Sequence, residues 1–215
     1  MAKSGEKCRG RKRNRPAVPP RPAADRGEGD MFIRSLGKTI ATELEKVFYR
    51  IDESQVEAFI EAIGNAKRIV LIGAGREGLA TRAFTMRLMH LGLDAHWIWD
   101  DTTPDIGRGD LLIATSGSGE IGHIHYVVET AKKQGAAIAL VTGDPHKITS
   151  ELADLMLFVP ASVYLGSADV VPSVQPMGNL FEQALLITFD MIVMMLRDRL
   201  DIPPEAMEKR HRNLE

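Results

Sequence analysis

Short apolar runs alternate with stretches of helical periodicity along most of the chain. Five of the apolar runs are aliphatic or aromatic and are bounded by glycine or polar residues, which is typical of buried strands. These predicted strands lie at Arg68–Gly73, His96–Trp99, Asp110–Thr115, Ala136–Thr142 and Leu155–Pro160.

Between these runs, apolar residues recur every three or four positions, which indicates amphipathic helices. The predicted helices cover Phe32–Phe48, a segment from a cap at Asp52 or Ser54 to about Gly64, Glu77–His90, Ile121–Gln134, residues 147–153 and Asn179–Leu200. Because strand and helix alternate, the pattern predicts an α/β fold: a doubly wound, five-stranded parallel sheet with helices on both faces. We expect one domain at residues 31–215, with N-terminal helices and a C-terminal helical tail.

The longest apolar region, Ala184–Leu196, is shorter than the roughly 20 residues that a membrane-spanning helix needs. It is interrupted by Asp190 and flanked by Glu182 and Arg197. We therefore expect a buried helix in a soluble protein that has no membrane partner.

Charge is unevenly distributed along the chain. Residues 1–30 contain nine basic and four acidic side chains, a net charge of +5, so the other residues carry −7 of the overall −2. The first thirty residues are also rich in proline and poor in aliphatic side chains, which predicts a disordered basic tail. A solvated extension is the simplest interpretation of this tail. A nucleic-acid-binding arm is an alternative, as is a transit peptide, although Glu6 argues against the latter.

The cysteine content and the N-terminal sequence indicate the compartment. Cys8 is the single cysteine, so the fold does not depend on an internal disulfide. No apolar core of a secretory signal is found near the N-terminus. We expect a cytoplasmic protein.

The first predicted strand ends in the glycine-rich turn GAGREG at residues 73–78. This turn matches the G-x-G-x-x-G pattern of dinucleotide-binding folds, and Asp100 lies about 20 residues further on, where a ribose-binding acid would stand. Glycines also permit a tight turn from strand to helix without any ligand. NAD(P) binding is therefore a remote alternative.

The third predicted strand ends in the sequence TSGSGE at residues 115–120, again just before a helix. Small residues let backbone N–H groups approach an anion, hydroxyls add donors, and the start of a helix carries partial positive charge. In a doubly wound sheet, the ligand binds beyond the carboxyl ends of the strands. The two loops together predict a pocket for a small phosphorylated ligand.

Several segments together resemble the 6-phospho-3-hexuloisomerase family of sugar isomerase (SIS) domain proteins: GAGREG, MRLMHLG, SGSGE, QPMGNLFEQALL and the terminal RHRNLE. The similarity extends from about residue 40 to the C-terminus. SGSGE is typical of SIS loops in general, whereas QPMGNLFEQ with the terminal HxNLE is specific to this subfamily. The resemblance implies a flavodoxin-like strand order and a homo-oligomer, either a dimer or a tetramer.

The family interconverts D-arabino-hex-3-ulose 6-phosphate and D-fructose 6-phosphate, so the resemblance implies a sugar-phosphate substrate, no cofactor and no metal. Moving the carbonyl requires removing a proton beside it and returning that proton to the neighbouring carbon, through an enediol. The resemblance implies that Glu182 is the proton-abstracting carboxylate. It also implies that His90 aids ring opening or proton transfer and that His211 reaches a neighbouring subunit's site. The residues implied to bind substrate belong to the two loops: Gly73, Gly75, Arg76, Glu77, Thr115, Ser116, Gly117, Ser118, Gly119, Glu120 and Ile121.

Each catalytic candidate also has a purely structural interpretation. Glu182 stands near the start of an apolar helix, where an acid complements the helix dipole. His90 stands at a helix end, where a basic side chain is favourable for the same reason. His211 lies close to the chain end among arginines, as an exposed tail residue would.

Two positions depart from the family pattern. Glu77 replaces the serine of the usual G-x-G-R-S-G loop, and Ile121 replaces a threonine after SGSGE. A carboxylate beside a phosphate adds like-charge repulsion that costs several kcal/mol in a poorly hydrated site. An altered-ligand or non-catalytic SIS module, which binds a sugar phosphate or an uncharged sugar, is therefore the alternative function.

Overall fold

A computed structural model describes residues 26–214, in which five strands and six α-helices form the body of the chain. Strands β1–β5 span Ile69–Ile72, Ala95–Trp97, Leu111–Thr115, Ala137–Thr142 and Leu155–Phe158. Helices α1–α6 span Arg26–Phe48, Glu53–Asn65, Gly75–Leu91, Gly122–Lys133, Asn179–Arg199 and Pro204–Lys209, and a short 3₁₀ helix spans Ile148–Leu152. The residues from Lys38 onward form one compact unit that contains the whole sheet.

The sheet is entirely parallel, with the strand order β2-β1-β3-β4-β5. This confirms the predicted doubly wound fold and its flavodoxin-like order. After β2 the chain returns to the other side of β1, so β1 and β3 flank the point where the winding reverses. Ligands of such sheets bind beyond the carboxyl ends of the strands at this point, which is where the loops after β1 and β3 lie.

Both faces of the sheet are covered by helices. Alternate residues of each strand point to opposite faces, and in β1 these are Ile69 and Leu71 on one face and Val70 and Ile72 on the other. The first face packs against α2, α3 and α5, and the second packs against α4. All four residues of β1 are buried for this reason, which is why the strand reads as a continuous apolar run.

The helix boundaries follow local signals that the sequence displays. Asp52 caps α2 by accepting a hydrogen bond from the Ser54 N–H at 2.8 Å, and α3 ends at Gly92, which has a φ of 89°. Two helices begin earlier than predicted. Helix α3 starts at Gly75 because the turn after β1 is only two residues long, and α1 starts at Arg26. The rest of the predicted tail, including Cys8, lies outside the described residues.

Helix α5 is long and apolar enough to cross a membrane by length and composition alone. Half of that apolar stretch is buried inside the protein, however, and Phe189 stacks on Phe84 of α3 with ring centroids 4.2 Å apart. This packing is that of a core helix, as expected for Ala184–Leu196.

The segment between β5 and α5 contains no helix or strand and is held in place by the buried carboxylate of Glu43. Glu43 of α1 accepts hydrogen bonds from the Ser173 hydroxyl, the Val174 N–H and the Gln175 amide at 2.7–3.0 Å. Gln175 in turn accepts a hydrogen bond from Gln183 of α5 at 2.8 Å. Glu43 therefore anchors the turn that leads into the first residues of α5.

Replacing Glu43 by alanine is expected to lower the free energy of unfolding by about 1–3 kcal/mol, because three donors lose their acceptor. Burial raises the pKa of Glu43, but the hydrogen bonds from Val174, Gln175 and Ser173 outweigh it and hold the pKa below its usual range. The stabilisation is therefore present above the unfolded-state pKa and is lost as the pH falls below about 4.

Urea unfolding of Glu43→Ala at pH 7 and pH 3.5 measures both effects. Glu45→Ala is the matched control, since Glu45 lies on the exposed side of the same helix and should change stability by less than about 0.5 kcal/mol. Equal midpoints for the two variants at pH 7 would show that Glu43 anchors nothing.

Candidate functional site

The loops after β1 and β3 meet at one edge of the sheet and touch each other. We call residues 73–78 the first loop and residues 115–120 the second loop. Gly73, the first residue after β1, packs against the side chains of Thr115 and Thr81 and against the backbone of Gly78. A Cβ added at Gly73 would lie 2.9 Å from the Gly78 Cα. Two of the three glycines in GAGREG therefore serve the close approach of α3 to β1, which accounts for them without a dinucleotide.

The second loop presents donors that no protein acceptor uses. The loop is a tight turn in which the Gly119 N–H donates to the Ser116 carbonyl at 3.0 Å, and Gly119 has a φ of 69°. Within residues 26–214, the backbone N–H groups of Ser118 and Glu120 donate to no acceptor, and the buried Ser116 hydroxyl has no hydrogen-bond partner. With helix α4 starting at Gly122, this arrangement suits an anion.

Glu182 lies in the first turn of α5, beside the first loop. Arg76 donates from Nη1 to the Glu182 carboxylate and to the Asn179 side-chain oxygen, both at 2.7 Å. The Glu182 side chain is 18% exposed, whereas Arg76 is 52% exposed and reaches over it from the start of α3. Because the Phe181 ring lies against Gly117, the start of α5 is also next to the second loop. The sheet edge therefore gathers Glu182, Arg76 and both loops.

Glu77 projects from the first turn of α3 into the second loop. Its carboxylate accepts a hydrogen bond from the Gly117 N–H at 2.9 Å. Burial raises the pKa of this carboxyl to about 7, against the lowering effect of the Gly117 N–H, and the negative charge of Glu182 raises it further. Glu77 therefore gains or loses a proton near neutral pH, and it stands where the family pattern has a serine.

Three other loop residues have clear contacts. The Thr115 hydroxyl lies 2.7 Å from the Thr81 hydroxyl and is buried beneath the loops rather than presented to a ligand. Glu120 pairs with Lys147 at 3.4 Å, and Ile121 packs against the core on the α4 face of the sheet.

His90 and His211 lie away from this edge. His90 follows Arg76 by 14 residues on α3, about 21 Å along the helix axis. His211 lies next to it, with ring centroids 5.4 Å apart, at a cleft of about 390 Å³ that Arg87 also lines. Burial lowers the pKa of His90, and the charges of Arg87 and His211 lower it further. Within one chain, the two histidines are close to each other but not to Glu182, so a shared role requires a second copy of the chain.

Some neighbours of the site were not predicted as site residues. Asn179 holds Arg76, and its signal was its position three residues before Glu182, on the same face of the helix. Thr81 and Lys147 are the partners of Thr115 and Glu120, and nothing in the local sequence indicates those pairs. Asp100, the candidate ribose-binding acid, pairs with Arg82 at 3.4 Å. Among the described residues, no group of three or more His, Cys, Asp or Glu side chains is placed to hold a metal ion.

This fold and this loop arrangement agree with a known domain. The SIS domain model matches residues 62–186, which include β1, both loops and the first residues of α5. The chain belongs to the SIS domain family, as its sequence motifs predicted.

The relatives within this family are more specific. A protein of Mycobacterium gastri named 3-hexulose-6-phosphate isomerase is 36% identical over 87% of this chain and 98% of its own length. A Bacillus subtilis protein of the same name is 35% identical over 82% of this chain and 95% of its own length. A solved structure from Methanococcus jannaschii, described as inferring a 3-hexulose-6-phosphate isomerase function, has a TM-score of 0.74 and 30% identity and covers 84% of this chain and 99% of its own. The resemblance to this isomerase family is confirmed, and the chain is a sugar-phosphate isomerase.

Proposed function

We propose that this protein converts 3-hexulose 6-phosphate into fructose 6-phosphate. The observation that carries the proposal is the position of the Glu182 carboxylate, held by Arg76 at 2.7 Å beside the two loops that follow β1 and β3. Relatives that carry the isomerase name align with nearly their whole length, which supports the same reaction here.

In the proposed mechanism, Glu182 removes the proton from C2 of the hexulose phosphate. The electrons form an enediol across C2 and C3 as the oxygen on C3 takes up a proton. The same carboxyl then returns the carbon-bound proton to C3 while the hydroxyl on C2 gives up its proton, which leaves the carbonyl at C2. Arg76 supplies positive charge next to the carboxylate, where it stabilises the oxygen that becomes negative during the transfer. No redox partner is needed, because the carbonyl moves within one molecule.

The second loop holds the phosphate in this mechanism. The free N–H groups of Ser118 and Glu120 and the unpaired Ser116 hydroxyl are the donors, and the start of α4 adds partial positive charge. The folded body carries net negative charge, so long-range attraction does not bring the substrate in and these short-range donors must hold it.

We further propose a cytoplasmic homo-oligomer, a dimer or a tetramer. His90 and His211 support this proposal because they lie together in a cleft that does not contain Glu182. If they take part in ring opening, they do so at the site of a neighbouring copy.

A coupled assay that detects fructose 6-phosphate formed from 3-hexulose 6-phosphate tests the function. We expect catalysed conversion without added metal or nucleotide, including in the presence of a chelator. Absence of conversion at micromolar enzyme concentration would exclude 3-hexulose 6-phosphate as the substrate.

Glu77 favours one second candidate, an SIS module that binds a different ligand. Its carboxylate enters the second loop and accepts the Gly117 N–H, next to the donors that hold the phosphate in the first candidate. A thermal-shift screen of fructose, fructose 6-phosphate and other phosphorylated sugars separates the two candidates, because an altered-ligand module would respond to a plain sugar or to another sugar phosphate but not to fructose 6-phosphate.

A further inference from the structure

The carboxylate of Glu77 stands where the second loop would receive an anion. One of its oxygens accepts the Gly117 N–H at 2.9 Å, and the other lies 2.5 Å from the point where a Cβ of residue 117 would stand. The second loop thus holds a carboxyl group that belongs to the protein itself and becomes negatively charged as the pH rises through about 7. A hydroxyl at position 77, as in the usual family pattern, would leave the same N–H open and add no charge.

We propose that Glu77 determines the charge specificity of this site: its carboxylate competes with the substrate phosphate for the second loop, so that a phosphorylated sugar binds together with one proton. The proposal rests on the proposed function in one respect, namely that this loop is the phosphate site. Neutral Glu77 neither repels the phosphate nor holds the Gly117 N–H as strongly as the carboxylate does.

The charges around Glu77 make proton uptake the natural response to a second anion. Glu182 faces it from α5, where its charge raises the pKa of Glu77, and Arg76 is bound to both Glu182 and Asn179. On the far side of the loop, Lys147 is paired with Glu120. A phosphate entering this group would be the third anion beside one committed arginine, and protonation of Glu77 removes one of the three.

The size of the effect follows from the ionisation of Glu77. With a pKa of about 7, Glu77 is about 90% ionised at pH 8 and about 10% ionised at pH 6. If only the neutral form accepts phosphate, the apparent Kd is larger than the intrinsic value by about 11-fold at pH 8 and 1.1-fold at pH 6. The factor by which Glu77 weakens phosphate binding therefore grows about tenfold between pH 6 and pH 8.

Titration calorimetry of the wild type and of Glu77→Gln with fructose 6-phosphate at pH 6, 7 and 8 tests the proposal. Glutamine keeps the shape of the side chain and imitates its neutral form. The phosphate of the ligand titrates in the same range, but it does so equally for both proteins, so the ratio of the two Kd values isolates Glu77. We expect this ratio to be close to 1 at pH 6 and about 10 at pH 8. We also expect greater proton uptake on binding by the wild type than by the variant at pH 7, measured in two buffers of different ionisation enthalpy.

Three controls complete the test. Glu77→Ser should behave as Glu77→Gln does, which keeps the test valid if one variant folds poorly. Glu61→Gln removes one charge from an exposed position of α2 and should match the wild type. Inorganic phosphate should show the same ratio as fructose 6-phosphate.

A Kd ratio that stays constant between pH 6 and pH 8 would overturn the proposal. Failure of fructose 6-phosphate and inorganic phosphate to bind Glu77→Gln at pH 8 would overturn it too, since the freed loop should accept them. These outcomes are separate from the test of the proposed function, because they concern binding of product and phosphate and require no turnover. If the protein bound phosphate with the expected ratio of Kd values but converted no hexulose phosphate, the role of Glu77 would stand and the proposed reaction would be excluded.

Discussion

Replacing Glu182 by glutamine is expected to lower kcat for the conversion of 3-hexulose 6-phosphate by about a thousandfold. The amide cannot take a proton from C2, and general acid–base catalysis by one positioned group contributes roughly 10²–10⁴-fold. Glutamine still accepts a hydrogen bond from Arg76 at the position of the Glu182 oxygen, so the loops should stay in place and KM should change little. Steady-state kinetics with the coupled assay measures both constants.

Asp190→Asn is the matched control for this variant. Asp190 is an exposed carboxylate on the same helix, two turns further along, and its loss should leave kcat unchanged. A Glu182→Gln variant that kept more than a tenth of the wild-type kcat would require another base.

The Glu182 variant also has a second, independent readout. Since the negative charge of Glu182 raises the pKa of Glu77, its removal should lower that pKa. Fructose 6-phosphate binding to Glu182→Gln should therefore begin to weaken at a lower pH than it does for the wild type. The same pH profile for both proteins would show that the two carboxylates do not interact.

Replacing Gly73 by alanine is expected to lower the free energy of unfolding by about 3 kcal/mol. A methyl group there would overlap the Thr115 hydroxyl and stand 2.9 Å from the Gly78 Cα, so that β1 and the start of α3 would have to separate. Overpacking of a rigid contact costs about 1–3 kcal/mol. The shift of the Thr115 hydroxyl away from Thr81 adds a lost buried hydrogen bond. Urea unfolding followed by circular dichroism measures the change.

Gly64→Ala is the control for the glycine substitution. Gly64 lies in the last turn of α2 and has no atom within 4 Å of an added Cβ, so alanine should stabilise the helix by up to about 1 kcal/mol. If both alanine variants unfolded at the same urea concentration, the close approach of α3 to β1 at Gly73 would not limit stability.

Much of the fold could be predicted because each element carries its own signal. The run Ile69–Ile72 is apolar at every position since both faces of the sheet are covered, and Gly92 ends α3 because the chain turns there with a positive φ. The early start of α1 at Arg26 could not be predicted in the same way. The first residues of α1 show no helical spacing of apolar side chains. A helix that begins without a clear capping residue has no signal in the local sequence.

The candidate site could be predicted only as a set of residues. The positions of Arg76 and Glu182 were suggested by the motifs, but their contact joins residues 106 positions apart. The grouping of His90 with His211, rather than with Glu182, likewise depends on how α6 folds back on the end of α3.

The order of residues was enough to establish an α/β sheet, the two loops at its edge and the SIS family, because periodicity and short motifs are local properties of a chain. The role of Glu77 was not accessible in that way. From the sequence it is a charged residue in a place where the family has serine. In the folded chain it accepts the Gly117 N–H across 40 positions, is buried there, and has a pKa near 7 beside the charge of Glu182. Burial and charge proximity are properties of the space around a group, and the fold creates that space by bringing three separate segments together.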